Sequence, residues 1–163
     1  ATKAWLKDVV IGLNLCPFAR EVFVTERIRY VVSPARGVEA LRVQLADELR
    51  LLTTLDPAAT ETTLLIHPGV LADFLDYNDF LDLADATLTD LELDGVLQVA
   101  SFHPSYQFAG TTPDDVTNRT NRSPYPMLHI LREASVTRAI AGYPDADKIP
   151  ERNVETMRRL AAS

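Results

Sequence analysis

Three histidines, one cysteine and a twice-repeated Asn-Arg pair are the side chains of this chain with an obvious capacity for chemistry. His67 and His103 each close an apolar run and stand directly before a proline, in TTLLIHP at 62–68 and in VLQVASFHP at 96–104. An imidazole at a strand end is well placed to move a proton at neutral pH. Ser33 occupies the same position before Pro34. Tyr106 and Gln107, just beyond His103, would wall a pocket and supply a hydroxyl or amide contact. Asn118, Arg119, Asn121, Arg122 and Ser123 precede an expected helix start at Pro124, where free backbone N–H groups and guanidinium forks favour phosphate or carboxylate. On that expected helix His129 and Glu133 stand four residues apart, so the carboxylate would face the imidazole and fix its tautomer.

Together these residues suggest an enzyme acting on a small phosphate- or carboxylate-bearing molecule. Arg119 and Arg122 would hold the anion, His103 with His67 would move protons, and His129 with Glu133 would support them. Each residue also has a plainer reading: a hydrogen-bonded structural histidine, a surface arginine among aspartates, a solvated helix pair, or an aromatic turn sealing the core. The competing function is a non-catalytic ligand-binding or protein-interaction domain. Cys16 and the histidines have the ligand chemistry for zinc but none of the short paired spacings of zinc sites, so no metal is assigned and no cofactor follows. Cys16-Pro17-Phe18-Ala19 lacks the second cysteine of a redox motif, and Cys16 reads as a small apolar residue. Asp73, Asp76, Asp79, Asp82 and Asp85 recur every third residue, a step that winds around a helix and gives an acidic, solvated surface.

The elements that must position these residues follow from periodicity. Trp5, Leu6, Val9, Val10 and Leu13 predict a first helix over 2–13, weakened by Gly12. Val22 to Val24 read as a short extended piece. Arg27 to Ser33 is a strand stopped by Pro34. Val38, Leu41, Leu45, Leu49 and Leu52 predict a helix over 37–55. Thr62 to His67 is a second strand, 70–91 a further helix, and the run from Val96 a third strand. Proline lacks the ladder donor and ends each strand, and the three prolines recur at about the length of a βα unit. Helical crossovers make the strands parallel, which brings Ser33, His67 and His103 to one edge, where open α/β sheets bind ligands. Ser123 and Pro124 start a helix over 123–140, and a last short helix covers 151–161. The expected fold is α/β, a small, mostly parallel sheet of three to four strands with helices on its faces. The alternative is α+β with a mixed sheet, in which Val22 to Val24 pair antiparallel with Ile28 to Val32.

Composition sets the remaining bounds. The 163 residues, 47% hydrophobic, suffice for one globular domain spanning 1–163. A net charge of −7 argues against nucleic acid or an anionic membrane as partner, and the small anionic molecule expected here follows from the Asn-Arg segment alone. A single cysteine and the lack of a signal-like N-terminus point to a soluble protein of the cytoplasm. Oligomeric state does not follow from these features.

Six blocks carry a resemblance. GLNLCPFAR at 12–20, TTLLIHP at 62–68, DFLDYNDFLDLAD at 73–85, SFHPSYQFAG at 101–110, NRSPYPMLHILREAS at 121–135 and IPERN at 149–153 resemble the family of bacterial proteins catalogued as domain of unknown function 1415. The resemblance covers nearly the whole chain. It implies a bacterial, single-domain protein and carries no activity, so no site residue is transferred from it.

Overall fold

The computed structural model describes residues 1–163. Four strands form one sheet: β1 (Ile28–Val32), β2 (Thr62–Ile66), β3 (Leu97–Phe102) and β4 (Met127–Arg132), in the spatial order β1-β2-β4-β3. β1 pairs parallel with β2, and β4 pairs antiparallel with both β2 and β3. This is the expected α/β architecture of strands and covering helices, with the sheet mixed rather than mostly parallel. β2 and β3 both run against β4, so β1, β2 and β3 share one direction and their carboxyl ends lie on one edge.

The inner strands read as unbroken apolar runs because both faces are covered. Every residue of β2 is buried. On one face Leu65, Leu128 and Ile130 pack against α3 (Val38–Thr54) and α4 (Phe74–Asp90). α3 contributes Leu41, Leu45, Leu49 and Leu52, each with no exposed surface, and α4 contributes Tyr77, Phe80, Ala84 and Leu88. Each such side chain contributes about 1.5–3 kcal/mol on leaving water. On the other face Leu64, Ile66 and Met127 meet Trp5, Leu6 and Val10. These three belong to α1 (Thr2–Trp5) and to the π-helical turns Leu6–Ile11 that continue it. Gly12 closes the wide turn by donating to the Lys7 carbonyl at 3.0 Å, and a Cβ there would stand 2.3 Å from the Asp8 carbonyl oxygen.

Two segments differ from expectation. Residues 22–24 are not extended. They end the short helix α2 (Ala19–Val24), which turns Phe23 onto the second core while Val24 stays exposed, so the antiparallel pair with β1 does not form. The helix expected over 123–140 begins only at α5 (Glu133–Ala141), and residues 127–132 are the central strand β4. Met127, Leu128 and Leu131 match a helical spacing, but Ile130 fills the gap, and a strand covered on both faces carries no alternation to betray it. The last helix, α6 (Ile149–Ala162), buries Met157 and ties back to the N-terminal region through Asn153, which donates to the Leu15 carbonyl at 2.8 Å. No helix is long and apolar enough to cross a membrane.

Candidate functional site

The alternation of β1, β2 and β3 turns Ser33, His67 and His103 toward the same face as Val31, Leu65 and Val99, the face covered by α3 and α4. All three are buried. Ser33 donates its hydroxyl hydrogen to Gln44 Oε1 of α3 and accepts from the Ala35 N–H at 3.1 Å, so it stops β1 and starts the turn into α3. His67 donates from Nδ1 to the Val70 carbonyl at 3.1 Å, and His103 donates from Nε2 to the Leu71 carbonyl at 3.0 Å. A carbonyl can only accept, so these contacts fix both tautomers. Nδ1 of His103 accepts from the Ser105 N–H at 3.0 Å. Nε2 of His67 is buried with no partner.

Tyr77 lies between the two imidazoles. Its ring centroid is 5.9 Å from that of His67, nearly parallel, and 4.9 Å from that of His103. Its hydroxyl donates to the Met127 carbonyl at 2.7 Å and accepts from the Phe102 N–H at 3.0 Å, joining β4 to β3 at the sheet edge. Burial pushes the Tyr77 phenol up and the imidazoles down. His67 falls to about 4, with the charge of a protonated His103 a further cause. His103 is lowered by burial against the opposing pull of the Leu71 carbonyl and the Asp73 carboxylate.

The carbonyls that the histidines hold belong to the loop between β2 and α4, and this loop forms one wall of a cleft of about 630 Å3. Val70, Leu71, Ala72 and Asp73 line that wall, and Arg36, Gly37 and Val38 line the opposite one. The two walls meet closely at Gly69, where a Cβ would stand 2.9 Å from the Ala35 carbonyl oxygen and 3.3 Å from Arg36 Cδ. Leu71 holds a left-handed conformation, φ 62°, that a branched side chain rarely adopts. Gly37 is the N-cap of α3 and offers no side chain to the first-turn N–H groups, which have no partner within the helix. The Arg36 side chain is exposed and forms no ion pair or hydrogen bond. Asp73, the N-cap of α4, accepts from the Asp76 N–H at 3.2 Å, and Asp76 and Asp79 lie along the same cleft. The cleft thus joins one cationic corner, an apolar floor with Phe80 and Leu83, and an acidic rim.

The Asn-Arg segment has a different character. Val116–Asn121 is a 3-10 turn, and Ser123 to Pro126 lead into β4, so no helix amino end follows the arginines. Asn118 accepts from the Phe108 N–H and the Thr111 hydroxyl and donates to the Thr112 carbonyl, all at 2.9–3.0 Å. Asn121 donates to the Ser101 carbonyl, and Ser123 donates to the Tyr125 carbonyl instead of capping a helix. Arg122 spends Nε on the Tyr106 carbonyl and a terminal nitrogen on the Pro113 carbonyl. Gln107 donates to the Thr111 carbonyl, and the Tyr106 hydroxyl meets the Ser101 hydroxyl. Arg119 alone of this group is exposed and unpaired. These residues knot the long loop after β3, and none of them lines the cleft.

His129 and Glu133 also part company. His129 lies in β4 opposite Leu64 and Ala100, on the face away from α3 and α4, and Glu133 opens α5. Four residues of strand separate them by about 13 Å, against the single turn a helix would have given. His129 Nε2 meets the Thr62 hydroxyl at 2.8 Å, and burial lowers this imidazole to about 4. No group of three or more His, Cys, Asp or Glu side chains is arranged to hold a metal ion. Cys16 packs against the second core, where burial raises its thiol.

Sequence reasoning placed Ser33, His67 and His103 on one sheet edge, where the structure has them behind the cleft rather than lining it, and it missed Arg36, Gly37, Gly69 and Leu71. A signal for three of them was available: Pro34-Ala-Arg-Gly37 and Pro68-Gly69 put glycines in the two strand-to-helix turns that meet at the cleft. Residues 1–163 match a family model described as Protein of unknown function (DUF1415). No curated protein and no solved structure matches the chain.

Proposed function

The chain belongs to the DUF1415 family, whose description assigns no activity, and from that premise we propose that it binds a small phosphate- or carboxylate-bearing molecule in the cleft at the carboxyl ends of β1 and β2. The observation that carries this reading is the cationic corner, where Arg36 has no partner and stands beside the uncapped amino end of α3. An amino end of this kind presents backbone N–H groups to an anion, and an arginine beside it supplies a two-pronged contact. The position agrees with the rule that open α/β sheets bind ligands beyond the carboxyl ends of parallel strands. Arg119 and Arg122 are not part of this reading, because Arg122 is consumed by carbonyls and Arg119 stands away from the cleft.

The reading is of binding rather than histidine acid/base catalysis. An imidazole held neutral down to about pH 4 is a poor proton acceptor near neutrality, and both N–H groups are engaged by carbonyls. The unpartnered Nε2 of His67 does not favour the enzymatic alternative, because it is closed off from solvent and His67 does not line the cleft. Isothermal titration with inorganic phosphate and a panel of small carboxylates tests the site. Arg36→Ala is expected to weaken binding at least about tenfold, in keeping with loss of a charge-assisted contact, and Arg119→Ala to leave it unchanged. Equal binding by both variants, or loss only in Arg119→Ala, contradicts the assignment.

A further inference from the structure

His67 and His103 reach the same loop from two different strands, and they do so with opposite ring nitrogens. Nδ1 of His67 takes the Val70 carbonyl, and Nε2 of His103 takes the carbonyl of the next residue, Leu71. We propose that the two histidines are positioning residues for the cleft, a pair of neutral clamps that hold two consecutive carbonyls inward and so set the wall formed by Val70 to Asp73. This rests on the reading of the cleft as the ligand site.

The geometry supports a clamp over simple space filling on three counts. First, the loop needs holding: Leu71 is in the left-handed region, a conformation that persists in a residue other than glycine only where its surroundings impose it. Second, the clamps are themselves anchored. Both rings lie against Tyr77, whose hydroxyl is fixed between β3 and β4, and Phe74 meets His103 edge-on at 5.5 Å. Third, the rings are held as opposite neutral tautomers by their hydrogen bonds. His103 must keep a lone pair at Nδ1 to accept from Ser105, and its proton at Nε2 to reach Leu71, so only one neutral tautomer serves both. Two peptide carbonyls turned away from water need donors, and the two imidazoles supply them. The walls, once fixed, hold the cationic corner at Arg36 opposite the Asp73 rim.

The opposed nitrogens give a directional test. The amide nitrogen of asparagine falls near imidazole Nδ1, and that of glutamine near Nε2. His67→Asn and His103→Gln therefore keep each donor to the loop in place, His103→Gln giving up only the acceptor for the Ser105 N–H outside Gly69 to Asp73, whereas His67→Gln and His103→Asn displace the donor with the same chemical group. Hydrogen exchange of the amides from Gly69 to Asp73 reports the wall without any ligand, and titration with inorganic phosphate reports the site. The matched variants are expected to stay within about twofold of wild type in both. The displaced variants are expected to lose about fivefold or more in loop protection and in phosphate affinity, the scale of one hydrogen bond.

If the matched and displaced variants behave alike, the clamp is wrong. Loss of loop protection with unchanged phosphate affinity also overturns it, because the histidines would then not position the site. Directional loss of protection together with no phosphate binding by wild type supports the clamp and overturns the anion reading instead. Should a displaced variant fail to fold, the ring 15N shifts of wild type decide: Nδ1–H in His67 and Nε2–H in His103 are expected, and the reverse in either overturns the proposal.

Discussion

At the end of β2 the chain turns after His67-Pro68 into the short loop Gly69 to Asp73, which borders an open cleft. At the end of β3 it turns after His103-Pro104 into the long connection from Ser105 to Pro126, whose polar groups are spent on one another. The two ends have the same dipeptide, the same face and the same edge. What differs is where the donors go. After β3, Asn118 and Arg122 collect five loop contacts, four of them to backbone groups, and only Arg119 stays unpaired, away from the cleft. After β2, both histidines serve the loop from behind, which leaves Arg36 and the α3 amino end facing the open side. Each His-Pro strand end is thus a structural stop, and the binding proposed here rests on the residues across from the one after β2.

Four perturbations distinguish the two strand ends. The largest effect is expected at Tyr77, which serves both ends. Tyr77→Ala should cost about 3–5 kcal/mol by chemical denaturation, because it opens a cavity under both imidazoles. It also strands the Phe102 N–H and the Met127 carbonyl. Acid comes next. The His67 imidazole lies at about 4 in the fold, against 6.5 for an unburied one, so the unfolded chain binds the proton first. Its contribution is complete above pH 6.5 and is lost as pH falls toward 4, about 3 kcal/mol in all. His129, lowered for the same reason, acts in the same direction and over the same window. Urea midpoints measured from pH 7 to pH 4 should fall steeply, and a flat profile would show that neither imidazole is held neutral.

Asn118→Ala separates the two ends. It should destabilise by about 1–3 kcal/mol by leaving the Phe108 N–H and the Thr112 carbonyl unpaired. Phosphate affinity at the cleft should be unaffected, and a parallel loss would mean that the loop after β3 belongs to the site. Gly69→Ala does the converse. Its Cβ would press against the Ala35 carbonyl and the Arg36 stem, so binding should weaken while stability falls by about 1 kcal/mol, the lower range for a strained small-to-large change.

Much of this arrangement was legible in the sequence. Ser33, His67 and His103 were placed on one edge by the proline stops together with the helical crossovers that give β1, β2 and β3 one direction, and a proline ends a strand for a covalent reason that tertiary packing does not override. β4 was not legible. MLHILR contains good helix formers, carries no polar alternation and follows a serine and a proline that mimic a helix start, yet it is the strand that both β2 and β3 require. The cost of missing it was the anion corner: a helix amino end beside Arg119 and Arg122 was expected where a strand begins. α2 was misread for the reverse reason, since Val-Phe-Val favours a strand but has no neighbour to pair with. Tyr77 was hidden among the aspartates and leucines of α4, and its role depends on β3 and β4 meeting beneath it.

The anion proposed for the cleft is tested most directly by the place where it binds. Two-dimensional 15N NMR of the whole chain titrated with inorganic phosphate reads that directly. Saturable shifts are expected at Arg36, Gly37, Val38 and Glu39 with smaller ones at Val70 to Asp73, and none at Asn118 to Ser123. Shifts confined to Asn118 to Ser123, or none anywhere at millimolar phosphate, would contradict binding in the cleft.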